Sequence, residues 1–343
     1  MTARSIVVLG ASGFLGRHVR AALTAAGDRV TPVSRRGPDG IDLVRAGRDE
    51  LARLCAGADA VVNAAGAVWG GTGREMAELN ADLVGRLVDV LTGLPRPPRF
   101  VQLGSAYEYG PTPLGVPVAE DWPPDPESVY GRTKLDGTRA VVRAVEDGGL
   151  DAVVLRVSVA CGPGAPRVSL PGRVAAHLAA GGGELRLAPL RAHRDLIDVR
   201  DVADAVLAAV DRPRSPAGPP RRPMAAPDGL AVPGDPAGAV INIGGGSAVP
   251  VRALVDLMIA LSGVPVRVVE DAGPPPDGAD ATGRTARSGV HWQCLDTGRA
   301  RRTLGWAPRR TLAESMRDLL LAEGAPVTGR PPAARAAAGR DRR

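Results

Sequence analysis

A single lysine, Lys134, stands among the 43 basic residues of this chain, the rest being arginine, and it follows Tyr130 in the run Tyr130-Gly131-Arg132-Thr133-Lys134. The chain has only 3 tyrosines, Tyr107, Tyr109 and Tyr130, so chance would place the lone lysine at that spacing roughly once in a hundred chains. Lysine is a compact point charge on a flexible stem, whereas arginine is a planar fork, so a position that keeps lysine against this bias needs an ammonium. Side chains at i and i+4 of a helix share a face. An ammonium held beside the phenol stabilises phenolate and makes the tyrosine a general acid and base for a reacting oxygen. A plain surface pair is the other reading of these five residues, and the surrounding elements must decide between them.

The elements that would place such a pair begin at the N-terminus. Ile6 to Leu9 reads as a buried strand, followed by Gly10-Ala11-Ser12-Gly13-Phe14-Leu15-Gly16 and a helical stretch from His18 to Ala26. Strand, glycine turn and helix N-terminus together let backbone N–H groups approach a pyrophosphate. Gly10, Ser12, Gly13, Phe14, Leu15 and Gly16 are therefore candidate dinucleotide contacts, with a structural glycine turn as the alternative. The next strand, Arg29 to Val33, ends in Ser34-Arg35-Arg36, where an NAD site would carry a carboxylate for the ribose 2′-hydroxyl. A hydroxyl and guanidinium forks suit a 2′-phosphate and favour NADP, against a solvated basic turn. Asp42 and Leu43 fall where a loop would pass the adenine.

Further along, Asp59 to Asn63 reads as a buried strand delivering Ala64-Ala65-Gly66, small enough for a cofactor to lie against the backbone. Trp69, just beyond, either walls a pocket or fills the core. A helix over about 73–91 carries Asn80, and an asparagine inside a helix is expected to face solvent. Arg99 to Leu103 is the next strand, and it delivers Gly104-Ser105 at its carboxyl end, where open α/β sheets hold their ligands. A serine hydroxyl there can hydrogen-bond a substrate oxygen beside Tyr130. Residues 111–125, rich in proline and acid, read as an ordered loop over the site. A helix from Tyr130 to about Val145 and a strand from Asp151 to Val157 follow.

Composition narrows the classes. At 343 residues and 44% hydrophobic, the chain can bury a sizeable core and hold both a cofactor and a substrate. Its 3 cysteines are scattered, which excludes a zinc pattern and argues against a disulfide framework, so they read as small buried hydrophobes. The net charge of +6 comes mostly from residues 330–343, which hold five arginines and one aspartate. The body is nearly neutral, so nucleic-acid binding is not expected of it. No apolar run reaches membrane-spanning length and no signal segment is evident, which makes the cytoplasm the default. Residues 212–238, 272–288 and the tail 326–343 read as flexible or disordered from their proline, glycine, alanine and arginine content.

Several motifs together resemble an extended short-chain dehydrogenase/reductase of the NAD-dependent epimerase/dehydratase family. They are Gly10-x-x-Gly13-x-x-Gly16, Asn63-Ala-Ala-Gly66, Ser105 with Tyr109-Gly110, Tyr130-x-x-x-Lys134, and Arg156 followed by Gly162-Pro163-Gly164. The likeness continues through Arg194-Asp195-Leu196-Ile197-Asp198, Asn242-Ile243-Gly244 and Asp296 to Pro308, covering nearly all of residues 5–323. It implies an α/β fold: a Rossmann doubly wound parallel sheet with a smaller C-terminal α/β substrate-binding region. The cofactor domain would span 1–165, with its sheet completed by about 195–210 and 239–245, and the substrate region 166–194 and 246–325. The resemblance further implies that Ser105 and Tyr130 meet the reacting oxygen and Lys134 holds the nicotinamide ribose. Asn80 and Ser158 would line the nicotinamide, Arg194 would meet a pyrophosphate, and Ala106, Tyr107, Val159 and Asp296 would face the substrate. A homodimer is also implied.

Departures from the pattern choose among reactions. Sugar-nucleotide 4,6-dehydratases carry an acid/base pair where this chain has Ala106 and Tyr107, and Glu108 is one residue out of register, so dehydration is not expected. Val159 replaces an asparagine that often contacts the sugar in epimerases. Ser34-Arg35-Arg36 suits an exchangeable NADPH rather than a resident NAD. The expectation is an NADPH-dependent ketoreductase acting on a nucleotide-linked, dTDP-type 4-keto-6-deoxy sugar. The alternatives are a 4-epimerase with resident NAD, a reductase of a non-sugar carbonyl, and a non-catalytic NADP-sensing protein.

Overall fold

The computed structural model describes residues 3–35, 40–68, 72–213, 239–271 and 291–328. In chain order its first half holds β1 (Ser5–Leu9), α1 (Phe14–Ala25), β2 (Arg29–Val33), α2 (Arg48–Cys55), β3 (Ala60–Asn63) and α3 (Gly73–Ala77). A π-helical turn (Glu78–Asp82) joins α3 to α4 (Leu83–Thr92), and β4 (Arg99–Ser105) runs into a single 3-10 turn (Ala106–Tyr109) before α5 (Val129–Glu146). Then come β5 (Ala152–Val157), β6 (Val159–Cys161), α6 (Leu170–Ala179), β7 (Gly183–Leu187), β8 (His193–Asp198) and α7 (Val199–Asp211). The remainder is β9 (Val240–Ile243), β10 (Ala248–Pro250), α8 (Val251–Ser262), β11 (Val266–Glu270), α9 (Gly298–Leu304) and α10 (Leu312–Ala322).

The central sheet is parallel, in the order β2-β1-β3-β4-β5-β9. Strands β1, β3, β5 and β9 are rich in Val, Ile and Leu because both of their faces are covered, whereas the edge strand β2 is largely exposed. On one face α1 and α7 pack through Val19, Leu23, Val202 and Val206; on the other α4 and α5 pack through Leu83, Leu87 and Val141. The strand order reverses between β1 and β3, which opens a crevice at the carboxyl ends of the strands. A separate apolar cluster, built from α6, α8 and α10 around Leu178, Met258 and Leu319, forms the smaller C-terminal region.

Two expectations change. Residues 195–198 do not join the central sheet: β8 pairs in parallel with β6 and antiparallel with β10. The free edge of β5 is already taken by β9, with Val154 opposite Val240 and Val157 opposite Ile243, so only α7 of the 195–210 stretch returns to the sheet. Residues 326–328 are ordered rather than part of a loose tail, since Thr328 donates its N–H to the Leu261 carbonyl at 3.1 Å. The proposed insertion from residue 214, the stretch 272–288 and the tail from 329 lie outside the described residues, as do Arg36 and Trp69. All three cysteines are free and buried. No helix among the described residues is long and apolar enough to cross a membrane.

Candidate active site

Helix α5 starts at Ser128, whose Oγ accepts the Gly131 N–H at 3.0 Å. That hydroxyl occupies an N–H that the helix cannot satisfy internally, and it fixes where the first turn begins. The buried stripe of α5 then runs Tyr130, Thr133, Lys134, Gly137, Val141 and Ala144. Tyr130 and Lys134 are each only 7% exposed, which ends the surface-pair reading. Gly137 allows this depth, because a Cβ there would stand 2.2 Å from the Asn80 carbonyl oxygen. The Lys134 ammonium donates to the Leu103 carbonyl at 2.6 Å. That carbonyl also accepts Gln102 Nε2 at 3.0 Å, while Gln102 Oε1 accepts Asn63 Nδ2 at 2.8 Å. Lys134 Nζ further lies 3.8 Å from where a Cβ on Gly66 would be, so the ammonium sits directly beneath the floor of the crevice.

Ser105 ends β4 and is 5% exposed. Its Oγ accepts the Tyr107 N–H at 3.3 Å. A hydroxyl has one donor and two acceptor sites, so this bond leaves the O–H free to donate into the cleft. The Tyr107 and Tyr130 rings meet edge to face at 5.9 Å, which sets the Tyr130 ring against the same wall.

Asn80 is 1% exposed rather than solvent-facing. The π-helical turn rotates it inward, where Nδ2 donates to the Ala67 carbonyl (2.9 Å) and to Thr133 Oγ1 (3.2 Å), and Oδ1 accepts the Ala67 N–H (3.1 Å). The loop after β3 has no sheet partner, and Asn80 supplies one while tying it to the turn that carries Lys134.

A cleft of about 1190 Å³ gathers Gly13, Phe14, Leu15, Arg35, Asp42, Ala64, Gly66, Ser105, Tyr107, Tyr130, Ser158, Val159 and Arg194 into one lining. Gly10 and Gly16 lie behind it. Gly10 has φ +74°, and a Cβ on Gly16 would stand 2.1 Å from the Gly10 carbonyl, so α1 can begin directly over the turn. Ser12 is exposed, Ser34 partly so, and Ala65 packs with Leu43 into the core beneath. These residues fit a dinucleotide: a side chain at Gly66 would crowd Asn80 Oδ1 to 3.0 Å, and Ser158 Oγ is buried without a hydrogen bond of ordinary geometry. Ser158 nevertheless stands near enough to Asp195 to help stabilise its charge.

Two expected substrate contacts, and the loop expected over the site, lie elsewhere. Ala106 is turned into a core cluster with Tyr109, Val118 and Leu295. Asp296 is exposed and accepts the Gly298 N–H at 2.6 Å, opening α9 rather than facing the cleft. The 111–125 loop contributes no residue to the cleft lining; it is held behind the site through Val118 N–H to the Cys294 carbonyl at 2.9 Å.

Sequence reasoning missed several residues that shape the site. Asp195, next to Arg194, is fully buried and accepts N–H groups from Gly245 (2.6 Å), Leu295 (2.9 Å) and Gly246 (3.2 Å). Burial raises its pKa to about 6 despite those donors. Arg17 and His18 of α1 reach the carbonyls of Gly164 and Pro163, joining the glycine turn to the start of the C-terminal region. Glu108 and Arg156 form a buried ion pair at 2.8 Å under Ser105. Burial opposes the Arg156 charge, yet Glu108 and Tyr109 outweigh it and hold the guanidinium above its ordinary value. Arg45 and Arg173 also line the cleft.

Fold and cleft define a dinucleotide-binding α/β enzyme with a Ser, Tyr and Lys constellation. Residues 6–221 match the NAD dependent epimerase/dehydratase family. The chain is 40% identical over 339 residues to dTDP-6-deoxy-L-talose 4-dehydrogenase (NAD(P)(+)) of Kitasatospora kifunensis, covering 94% of this chain and 96% of the relative. It is 27% identical over 333 residues to GDP-6-deoxy-D-mannose reductase of Pseudomonas aeruginosa, covering 93% and 97%. The fold superposes on RMD from Pseudomonas aeruginosa complexed with NADPH, with a TM-score of 0.75 at 22% identity over 94% of this chain and 98% of the other. This chain belongs to the NAD dependent epimerase/dehydratase family and is an NAD(P)-dependent oxidoreductase within it. Its likeness inside the family is to nucleotide-sugar dehydrogenases and reductases.

Proposed function

We propose that the enzyme reduces a nucleotide-linked 4-keto-6-deoxy sugar, carried on dTDP, to the 4-hydroxy sugar with NADPH, as a step of deoxysugar biosynthesis. One observation carries this reading: a single cleft is lined by the glycine turn, by Ser105 and Tyr130, and by Arg194. Cofactor, reacting carbonyl and a phosphate can therefore meet in one enclosure. NADPH, when bound, supplies the hydride to the sugar C4. Tyr130 gives its proton to the alkoxide that develops at O4, and Ser105 directs its free O–H to the same oxygen. Lys134, which donates to the Leu103 carbonyl, stabilises the phenolate left on Tyr130 and, in this reading, holds the nicotinamide ribose. Arg194 keeps its guanidinium at the cleft through one bond to the His193 carbonyl (2.9 Å), with donors left for a pyrophosphate.

The relative with 40% identity supports the base and the position of the reaction, since its name describes the oxidation of a dTDP-6-deoxy sugar at C4. Arg35, exposed at the cleft where an NAD site would hold a carboxylate, supports NADPH as an exchangeable reductant. The reading places the enzyme in the cytoplasm, with its nucleotide substrates, as a homodimer. The test is to denature purified protein, identify any nucleotide released, and titrate native protein with NADPH and NADH. An empty site with tighter NADPH binding is expected. Stoichiometric NAD would overturn the reading in favour of a 4-epimerase.

A further inference from the structure

We propose that Glu108, braced by Arg156, is a positioning residue for Ser105, and that it governs turnover rather than cofactor binding. The inference rests on the role given to Ser105 above. Glu108 cannot be an acid for the substrate, because it is 0% exposed and lies behind the cleft. Its two oxygens are divided between two tasks: Oε1 accepts the Ser105 N–H at 2.7 Å, and Oε2 accepts Arg156 Nε at 2.8 Å. The first bond fixes the backbone of the last residue of β4, from which the Ser105 side chain lines the cleft while its Oγ accepts the Tyr107 N–H.

The second bond fixes Glu108 itself. Arg156 faces Gly104 across the β4–β5 register, and a Cβ on Gly104 would stand 2.7 Å from Glu108 Oε1, so the carboxylate has been given room by the absence of a side chain. The guanidinium lies 4.5 Å over the Tyr109 ring, and Tyr109 O–H donates to Asn242 Oδ1 at 2.7 Å on β9. Asn242 is Arg156's partner in the β5–β9 register, and its own N–H donates to Glu120 Oε1 at 2.8 Å. One run of contacts thus links three neighbouring strands to the backbone of Ser105. A buried ion pair is a poor source of stability compared with apolar packing of the same volume. Its reach to the N–H of a reacting serine is what a positioning role requires, and a small misplacement of such a group costs turnover steeply.

The experiment compares the wild-type enzyme with E108Q, E108Q/R156Q, S105A and S105A/E108Q, measuring kcat and KM for a dTDP-linked 4-keto-6-deoxy sugar and Kd for NADPH. E108Q is expected to lower kcat about 30-fold while NADPH Kd stays within about twofold. In E108Q/R156Q the paired amides can remake both hydrogen bonds without a stranded charge, so kcat should return to within about fivefold of wild type. In the S105A background the same E108Q change should cost less than about twofold, because the hydroxyl it positions is gone. An equal loss in both backgrounds would overturn the proposal and make the pair merely structural. So would a folded E108Q at full kcat, or an E108Q/R156Q enzyme below the fivefold limit, and this last variant decides the matter if E108Q alone does not fold. S105A at full kcat would remove the role of Ser105 itself, and the inference with it.

Discussion

The floor of the cleft and its far wall are held in different ways. At the floor, Lys134, Ser105 and Asn80 are all buried and each is hydrogen-bonded to backbone, Asn80 to the buried Thr133 side chain as well. At the wall, Arg194 has a single backbone bond and Arg35 is exposed, while Val159, Leu187 and Pro189 offer only shape. Neighbours on β8 show the contrast most sharply, since Asp195 accepts three N–H groups in the core while Arg194 faces the cleft. Proton transfer tolerates little displacement, whereas recognition of a phosphate by a long cation can adapt. The floor can serve one chemistry and the wall can be altered to select among substrates.

That division can be broken or sharpened by substitution. Tyr130→Phe, at the floor, should lower kcat by about a thousandfold, in the range for loss of a general acid, with NADPH Kd unchanged by fluorescence titration; retained turnover would break the contrast at its strongest point. Arg194→Ala, at the wall, should raise KM for the nucleotide sugar by about 10- to 100-fold, the cost of a charged hydrogen bond, with little change in kcat. A fall in kcat instead would mean that the wall also positions the reacting carbon.

Asp195 tests how firmly the wall's frame is anchored. Its pKa of about 6 lies above the ordinary 3.8, so the folded chain binds the extra proton between about pH 4 and 6. Its contribution to stability therefore rises as pH falls through 6. Between pH 7 and 5 the urea stability of wild type should gain about 1 kcal/mol relative to Asp195→Asn, and parallel curves for the two would show that the carboxyl does not titrate there. The smallest effect belongs to Arg35→Ala, which should reduce the preference for NADPH over NADH about three- to fivefold, as for one exposed charge.

How legible the molecule is in its sequence follows the same division. Tyr130 and Lys134 stand out because one lysine survives in an arginine-rich chain, and Ser105 because it ends a strand. The glycine turn is visible because its spacing is local. The pairing of Glu108 with Arg156 was not visible, the two being 48 residues apart and joined only when the register sets Arg156 opposite Gly104. The inward turn of Asn80 depends on a π-helical distortion and on a loop in need of partners, neither of which leaves a periodic mark. The displacement of β8 from the central sheet follows from β9 claiming that edge, a competition decided by residues far along the chain. Asp296 fell outside the cleft for a local reason, since its side chain is spent on the turn that opens α9.

The most direct test of the central claim is a single-turnover reaction of the enzyme with NADPH deuterated at the nicotinamide C4 and a dTDP-linked 4-keto-6-deoxyhexose, followed by mass and NMR analysis of the sugar. Deuterium at C4 of a 4-hydroxy product, with one NADP+ formed for each product, is the predicted result. With deuterium at both C4 positions of the dihydronicotinamide, unlabelled product, or a sugar changed in configuration with no NADPH consumed, would contradict it.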